Sequence, residues 1–148
     1  MGLFDSVLEE HRSSDLSLGP AESFTAITLL AIAADGYVSA DESRVLNSTL
    51  SRLRMFRSYS NDVIGAMMDR LLGIIRRQGP DALLKAAIAG LPDDLRDTVF
   101  AVTLDIMLAD GEVAPEEEEL LNKLHRALEL PNDLAMTIVK VMVIKNKG

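Results

Sequence analysis

A pair of carboxylates occurs twice in the chain at the same spacing, which gives four in all. Residues 34–42 (ADGYVSADE) return as residues 109–117 (ADGEVAPEE), an offset of 75 (110 − 35). Both copies keep an Asp-Gly pair, a valine two residues after the glycine and a glutamate seven residues after the aspartate. Carboxylate oxygens are the ligands that hard divalent cations prefer. The candidate metal-binding residues are Asp35, Glu42, Asp110 and Glu117.

The spacing of glycine and glutamate matches positions 6 and 12 of a calcium-binding EF-hand loop. Positions 1 and 3 of that loop would be Ala31 and Ala33, which have no side-chain oxygen, and the second copy has Ile106 and Leu108 there. Neither copy is therefore an EF-hand. If the two turns lie side by side, the four carboxylates converge on one site. Such a site would suit Ca²⁺, Mg²⁺ or Mn²⁺ better than Zn²⁺.

A purely structural interpretation of the same residues stays open. An aspartate at the carboxyl end of a helix is unfavourably placed for its charge, and its occurrence in both copies supports a bound cation that offsets this cost, but a local hydrogen bond could offset it as well. Asp35 and Asp110 could each accept a hydrogen bond from the N–H group two residues later, in an Asx turn. Glu42 could complete a capping box with Ser39. The pattern does not distinguish a cation site from two well-formed helix turns.

The identities extend beyond the turns at the same offset. Thr28-Leu29 aligns with Thr103-Leu104, and Leu46-Asn47 aligns with Leu121-Asn122. Gap-free identities at one offset indicate duplication of a helix–turn–helix unit. We predict two pseudo-symmetric repeats, at about residues 20–55 and 92–130, packed around a pseudo-twofold axis.

The spacing of apolar residues predicts helices throughout the chain. No segment alternates apolar and polar residues with a period of two, and the prolines stand where helices should begin. We therefore predict one all-α domain over residues 1–148, a compact bundle of about seven helices, or eight with an N-terminal one. The methionines follow helical spacing, so we expect them in the core. The predicted helices with two bounds run from Pro20 to about Ala34, from Asp62 to Gln78, from Asp81 to Ala89 and from Pro131 to Ile144. Three further helices are predicted to begin at Ala40, Pro92 and Pro115.

Composition excludes several classes of function. The formal charge of −8 disfavours nucleic acid, which needs a basic surface. The chain has no cysteine and no run of about 18 apolar residues, so we expect a cytoplasmic protein without a transmembrane segment. Residues 1–6 fit a loose N-myristoylation pattern, but nearby acidic residues favour docking of the apolar side chains on the core instead. Those side chains are Leu3, Phe4, Val7 and Leu8.

Nothing in the sequence predicts an enzyme. It has no set of Ser, His and Asp at catalytic spacing and no glycine-rich phosphate loop. We therefore expect a non-catalytic domain that binds or senses a divalent cation. The alternative is a protein-interaction module without metal, in which an acidic face binds a basic partner or an apolar edge forms a homodimer.

The paired motifs resemble those of the tellurite-resistance TerB family, whose relatives include the N-terminal domain of a membrane-tethered DnaJ-like co-chaperone. The resemblance rests on residues 34–42, on 109–113 and on Glu116-Glu117, and it covers about residues 20–130. It implies a compact all-α domain of about seven helices and a link to stress and metal-related processes. It also implies that acidic residues near the turns bind divalent metal, here Asp35, Glu42, Asp110 and Glu117.

Overall fold

The regular structure of the described part of the chain is entirely helical, which confirms the all-α prediction there. The computed structural model describes residues 16–109, 111 and 113–148; the predictions for residues 1–15, including an N-terminal helix and its docking on the core, lie outside these. The described part contains seven α-helices and two short 3₁₀-helices, Arg54–Phe56 and Asp93–Leu95. The α-helices are α1 (Pro20–Leu30), α2 (Ala40–Ser51), α3 (Asn61–Gln78), α4 (Pro80–Gly90), α5 (Arg96–Leu108), α6 (Pro115–Ala127) and α7 (Asn132–Lys145).

Helix starts follow the local chemistry of the sequence. Pro20, Pro80 and Pro115 are each the first residue of a helix, where the missing N–H group costs nothing. Ser39 and Ser60 precede α2 and α3, and each side chain accepts a hydrogen bond from a backbone N–H of the first turn. These starts agree with the predicted ones to within about two residues.

Two boundaries differ from the prediction. The first helix ends at Leu30 rather than near Ala34, and the chain then continues in tighter turns. In these turns the Ala31 N–H donates to Thr28 and the Gly36 N–H donates to Ala33, both three residues back. Pro92 begins a 3₁₀-turn, and α5 starts only at Arg96.

Helix α1 lies at the centre of the compact bundle. Every residue from Ser23 to Leu30 is buried, because α1 packs against α3, α4 and α5. Two of its hydroxyl groups are satisfied within the helix, where Thr25 donates to Ala21 and Thr28 donates to Thr25, whereas the buried Ser23 hydroxyl has no hydrogen-bond partner among the described residues. Phe24, near its start, packs edge to face against the buried ring of Phe56. The turn that carries Asp35 thus leaves the most buried helix.

The two predicted repeats have corresponding helices. Helices α2 and α6 begin at Ala40 and Pro115, which differ by the same offset of 75 (115 − 40) as the motifs. Thr28 and Thr103, aligned by that offset, are both fully buried. Within the described residues the Thr103 hydroxyl has no hydrogen-bond partner. The pseudo-twofold axis stays a prediction.

Helix α7 is apolar on more than one face. It packs on α5 and buries only Ala135 fully. The prediction that the methionines lie in the core is wrong for Met136, which is 60% exposed. The reason is geometric, since one neighbouring helix can cover only one face. The other large exposed apolar residues of α7 are Leu134, Val141, Val143 and Ile144. None of the helices in the described part has the length and apolar character needed to cross a membrane.

Candidate functional site

The first Asp-Gly turn is stabilised by its own aspartate. The Tyr37 N–H donates to the Asp35 Oδ1 at 3.0 Å, two residues along, as the structural interpretation predicted. Gly36 has φ +87°, a backbone conformation that residues with a side chain rarely adopt, and its N–H donates to the Ala33 carbonyl. One Asp35 oxygen therefore holds the turn, and Oδ2 remains for another ligand.

Arg76, near the end of α3, connects the first Asp-Gly turn to the bundle. Its Nη1 donates to the Gly36 carbonyl at 2.6 Å, and its guanidinium lies 5.3 Å from the centre of the Tyr37 ring. A Cβ atom on Gly36 would overlap the Arg76 side chain. Sequence reasoning placed Arg76 in the last turn of its helix but missed this contact, because no local signal links residues 40 positions apart.

At the second turn, Gly111 has the same backbone conformation as Gly36 but no contact like the one with Arg76 among the described residues. Gly111 has φ +93°, and its N–H donates to Leu108 at 3.0 Å, which matches the Gly36 bond in the first copy. No atom of the described residues lies within 4 Å of a Cβ built on Gly111. Asp110 lies outside the described residues. The two glycines therefore share their backbone conformation and hydrogen bond but differ in their surroundings.

Both candidate glutamates cap helices. The Ser39 N–H donates to the Glu42 Oε1 at 3.1 Å, and the Glu42 N–H donates to the Ser39 hydroxyl at 3.1 Å, which is the predicted capping box. In the second copy the Ala114 N–H donates to the Glu117 Oε1 at 3.0 Å. Alanine has no side-chain oxygen, so only half of the box forms there. Each capping bond uses Oε1 and leaves Oε2 for another contact.

Asp35 and Glu117 line the same groove, although 82 residues separate them (117 − 35). This acidic groove has a volume of about 640 Å³ and runs between the end of α1, the start of α4 and the first turns of α6. Leu30, Ile32 and Leu120 contribute apolar surface to it. Lys123 pairs with Asp81 across it. The acidic residues that line it are Asp35, Asp81, Glu116, Glu117 and Glu119.

Glu42 lies elsewhere. It lines a second cleft of about 280 Å³, which we call the α2–α7 cleft, formed by α2 and the carboxyl ends of α5 and α7. The structure therefore brings two of the three described candidates to one groove and the third to another. Among residues 16–109, 111 and 113–148, no three Asp, Glu or His side chains are close enough to hold a metal ion together. A site that also uses Asp110 stays a prediction.

Comparison with known proteins places the chain in a family. Nothing matches among curated proteins, and nothing matches among solved structures. A family model described as tellurite resistance protein TerB matches residues 21–137. The match includes both Asp-Gly turns and every helix from α2 to α6, and it agrees with the resemblance of the paired motifs. Because it covers most of the 148 residues, the chain belongs to the TerB family.

Proposed function

We propose that this TerB-family domain is non-catalytic and binds a divalent cation in the acidic groove, in a tellurite-resistance or stress-related context. The observation that carries the proposal is that Asp35 and Glu117, one from each repeat, line the same groove. The repeat in the sequence identifies both side chains as candidates independently of their position in the fold. A shared cation site between the two copies of the motif would use the aspartate of the first copy and the glutamate of the second.

The local hydrogen bonds support this role, because they orient the two carboxylates. One oxygen of each is held by a backbone N–H, and the other is left for a ligand. Two carboxylates and several retained water molecules are a common environment for Mg²⁺, and Ca²⁺ and Mn²⁺ also accept oxygen ligands. We therefore favour Ca²⁺, Mg²⁺ or Mn²⁺ over Zn²⁺, with Asp35 and Glu117 as the protein ligands. Glu42 lines the other cleft, so we do not assign it to this cation.

Calorimetric titration of Ca²⁺, Mg²⁺, Mn²⁺ and Zn²⁺ into chelator-treated protein tests the proposal. A site with few protein ligands predicts weak but saturable binding, with Kd on the order of 10⁻⁴–10⁻³ M. The informative variant combines Asp35→Asn with Glu117→Gln, because each amide keeps an oxygen for the backbone bond while removing the charge. We expect this variant to lose binding.

A matched control removes two charges from outside the groove. Asp62→Asn and Glu118→Gln lie in the first turns of α3 and α6, and neither residue lines the groove. This control should bind as the unmodified protein does. If no cation gives saturable heat, or if both double variants bind equally well, the cation proposal is wrong.

A protein-interaction module without metal is the second candidate function. The observation that favours it is the apolar surface of α7, where Met136, Val141 and Ile144 are each more than half exposed. Large apolar side chains grouped on a surface often mark an interface. A homodimer through α7 would show concentration-dependent association by sedimentation, lost in Met136→Lys. Sedimentation as a monomer at every concentration would leave a different protein as the only partner for this surface.

A further inference from the structure

We propose that the α2–α7 cleft binds the apolar face of a cationic amphipathic helix from another protein. This inference deepens the second candidate function and rests on it, independently of the cation site. The cleft lies between α2 and the carboxyl ends of α5 and α7 and has a volume of about 280 Å³. That is near the lower limit of small-molecule sites, and it suits one or two anchoring side chains of a helix.

The inner surface of the cleft is apolar. Leu46, Ile106 and Ile32 line it, and Val45 lines it while remaining 58% exposed. Val141 is 51% exposed and lies four residues before Lys145, another lining residue, so both are on the same side of α7. The apolar surface therefore extends beyond the cleft onto α7. A helix with apolar residues at intervals of three and four could cover this surface.

The charges at the rim select a cationic partner. Asp105 is held by Lys145 at 3.1 Å and by Asn146 at 2.8 Å, and Asp41 pairs with Arg44. Glu42 has one oxygen in its capping bond and forms no salt bridge with any described residue. Its carboxylate can therefore pair with a lysine or arginine of the partner.

The net charge argues against a second copy of this chain in the cleft. The chain has a formal charge of −8, so two copies repel each other, whereas a basic helix is attracted over a long range. Apolar surface inside and an unneutralised carboxylate at the rim together match a helix with apolar residues on one face and lysines beside them.

The test uses a fluorescein-labelled synthetic helix of leucine and lysine, with leucines at helical spacing, and measures its binding by fluorescence anisotropy. Val45→Asp is the main variant and Val63→Asp is its control, because Val63 is 50% exposed on α3 and does not line the cleft. Each variant adds one negative charge, which by itself attracts the probe. We expect Val45→Asp to weaken binding about tenfold and Val63→Asp to leave it equal or stronger.

A second variant tests the rim charge without disturbing the fold. Glu42→Gln keeps an oxygen for the capping bond, and we expect binding to weaken about threefold with a smaller dependence on salt. Circular dichroism during thermal unfolding should show that all three variants fold. A helix of leucine and glutamate with the same spacing should not bind.

Three outcomes would overturn the inference. Equal affinity of Val45→Asp and Val63→Asp would place the probe outside this cleft. Loss of binding only in the Asp35→Asn/Glu117→Gln variant would place the partner in the acidic groove, which contradicts this site but keeps the interaction function. Absence of any binding by the leucine–lysine helix at low salt would contradict both, whereas the calorimetric titration decides the cation site separately.

Discussion

Alanine at Gly36 and alanine at Gly111 form a matched pair that tests how differently the two turns are held. Both glycines have φ near +90°, so both substitutions force a side chain into an unfavourable backbone conformation. Only at Gly36 would the new Cβ also contact atoms of the neighbouring helix. It would overlap the Arg76 side chain and lie 3.2 Å from the Arg76 N and 3.3 Å from the Leu72 O, which belong to the backbone of α3.

The magnitudes follow from these two terms. The backbone term is about 1–2 kcal/mol at each site, reduced by about 0.4–1 kcal/mol because alanine restricts the unfolded chain. Steric overlap in a packed region adds about 1–3 kcal/mol at Gly36 alone. We therefore expect Gly36→Ala to lower the free energy of unfolding by about 2–4 kcal/mol and Gly111→Ala by about 1 kcal/mol.

Urea unfolding followed by far-ultraviolet circular dichroism measures both values. The same pair of measurements in an Arg76→Ala background isolates the clash with the Arg76 side chain, so the cost of Gly36→Ala should fall there by about 1 kcal/mol or more. It should not vanish, because the backbone atoms of α3 remain close. Equal losses for Gly36→Ala and Gly111→Ala in the unmodified chain would refute the conclusion that Arg76 and α3 enclose only the first turn.

Four further substitutions test local contacts through the free energy of unfolding. Ser39→Ala removes the hydroxyl of the capping box and should lower the free energy of unfolding by about 1 kcal/mol. Ala114→Ser should complete the half-formed box and raise the free energy of unfolding by about 0.5–1 kcal/mol. A serine at residue 114 that destabilises the protein would contradict the cap geometry. Thr103→Val removes a buried hydroxyl without a partner among the described residues, so we expect stabilisation by about 1 kcal/mol. Thr28→Val removes a satisfied hydroxyl and should stabilise less or destabilise; the reverse order would show that the Thr103 hydroxyl has a partner.

The helices were predictable because their signals are local. Proline and capping serine mark where a helix begins, and the apolar period marks how far it continues. The end of α1 was not predictable in this way, since residues 31–34 are apolar and could extend the helix. Their tighter turns follow from tertiary packing, in which Arg76 holds the Gly36 carbonyl from another helix.

The candidate site was predictable only in part. The repeat identified Asp35 and Glu117, and the structure places both in one groove. The repeat could not show that Glu42 lines the α2–α7 cleft, because the side of α2 that contacts a neighbouring helix depends on packing between elements distant in sequence. The exposure of Met136 was hidden for the same reason. An apolar helix looks buried in a sequence until its neighbours are known.

The position of Arg76 also has a consequence for the dynamics of the two turns. The N–H groups of Gly36 and Gly111 make equivalent hydrogen bonds, to Ala33 at 2.8 Å and to Leu108 at 3.0 Å. Gly36 is buried and Arg76 also holds its carbonyl, so opening of the first turn breaks the contact with Arg76 as well, whereas Gly111 is exposed and no described atom lies within 4 Å of a Cβ built on it. Native-state hydrogen exchange should therefore be slower at Gly36. A duplicated motif would then contain one turn whose opening breaks a contact with another helix and one that opens without such a contact among the described residues.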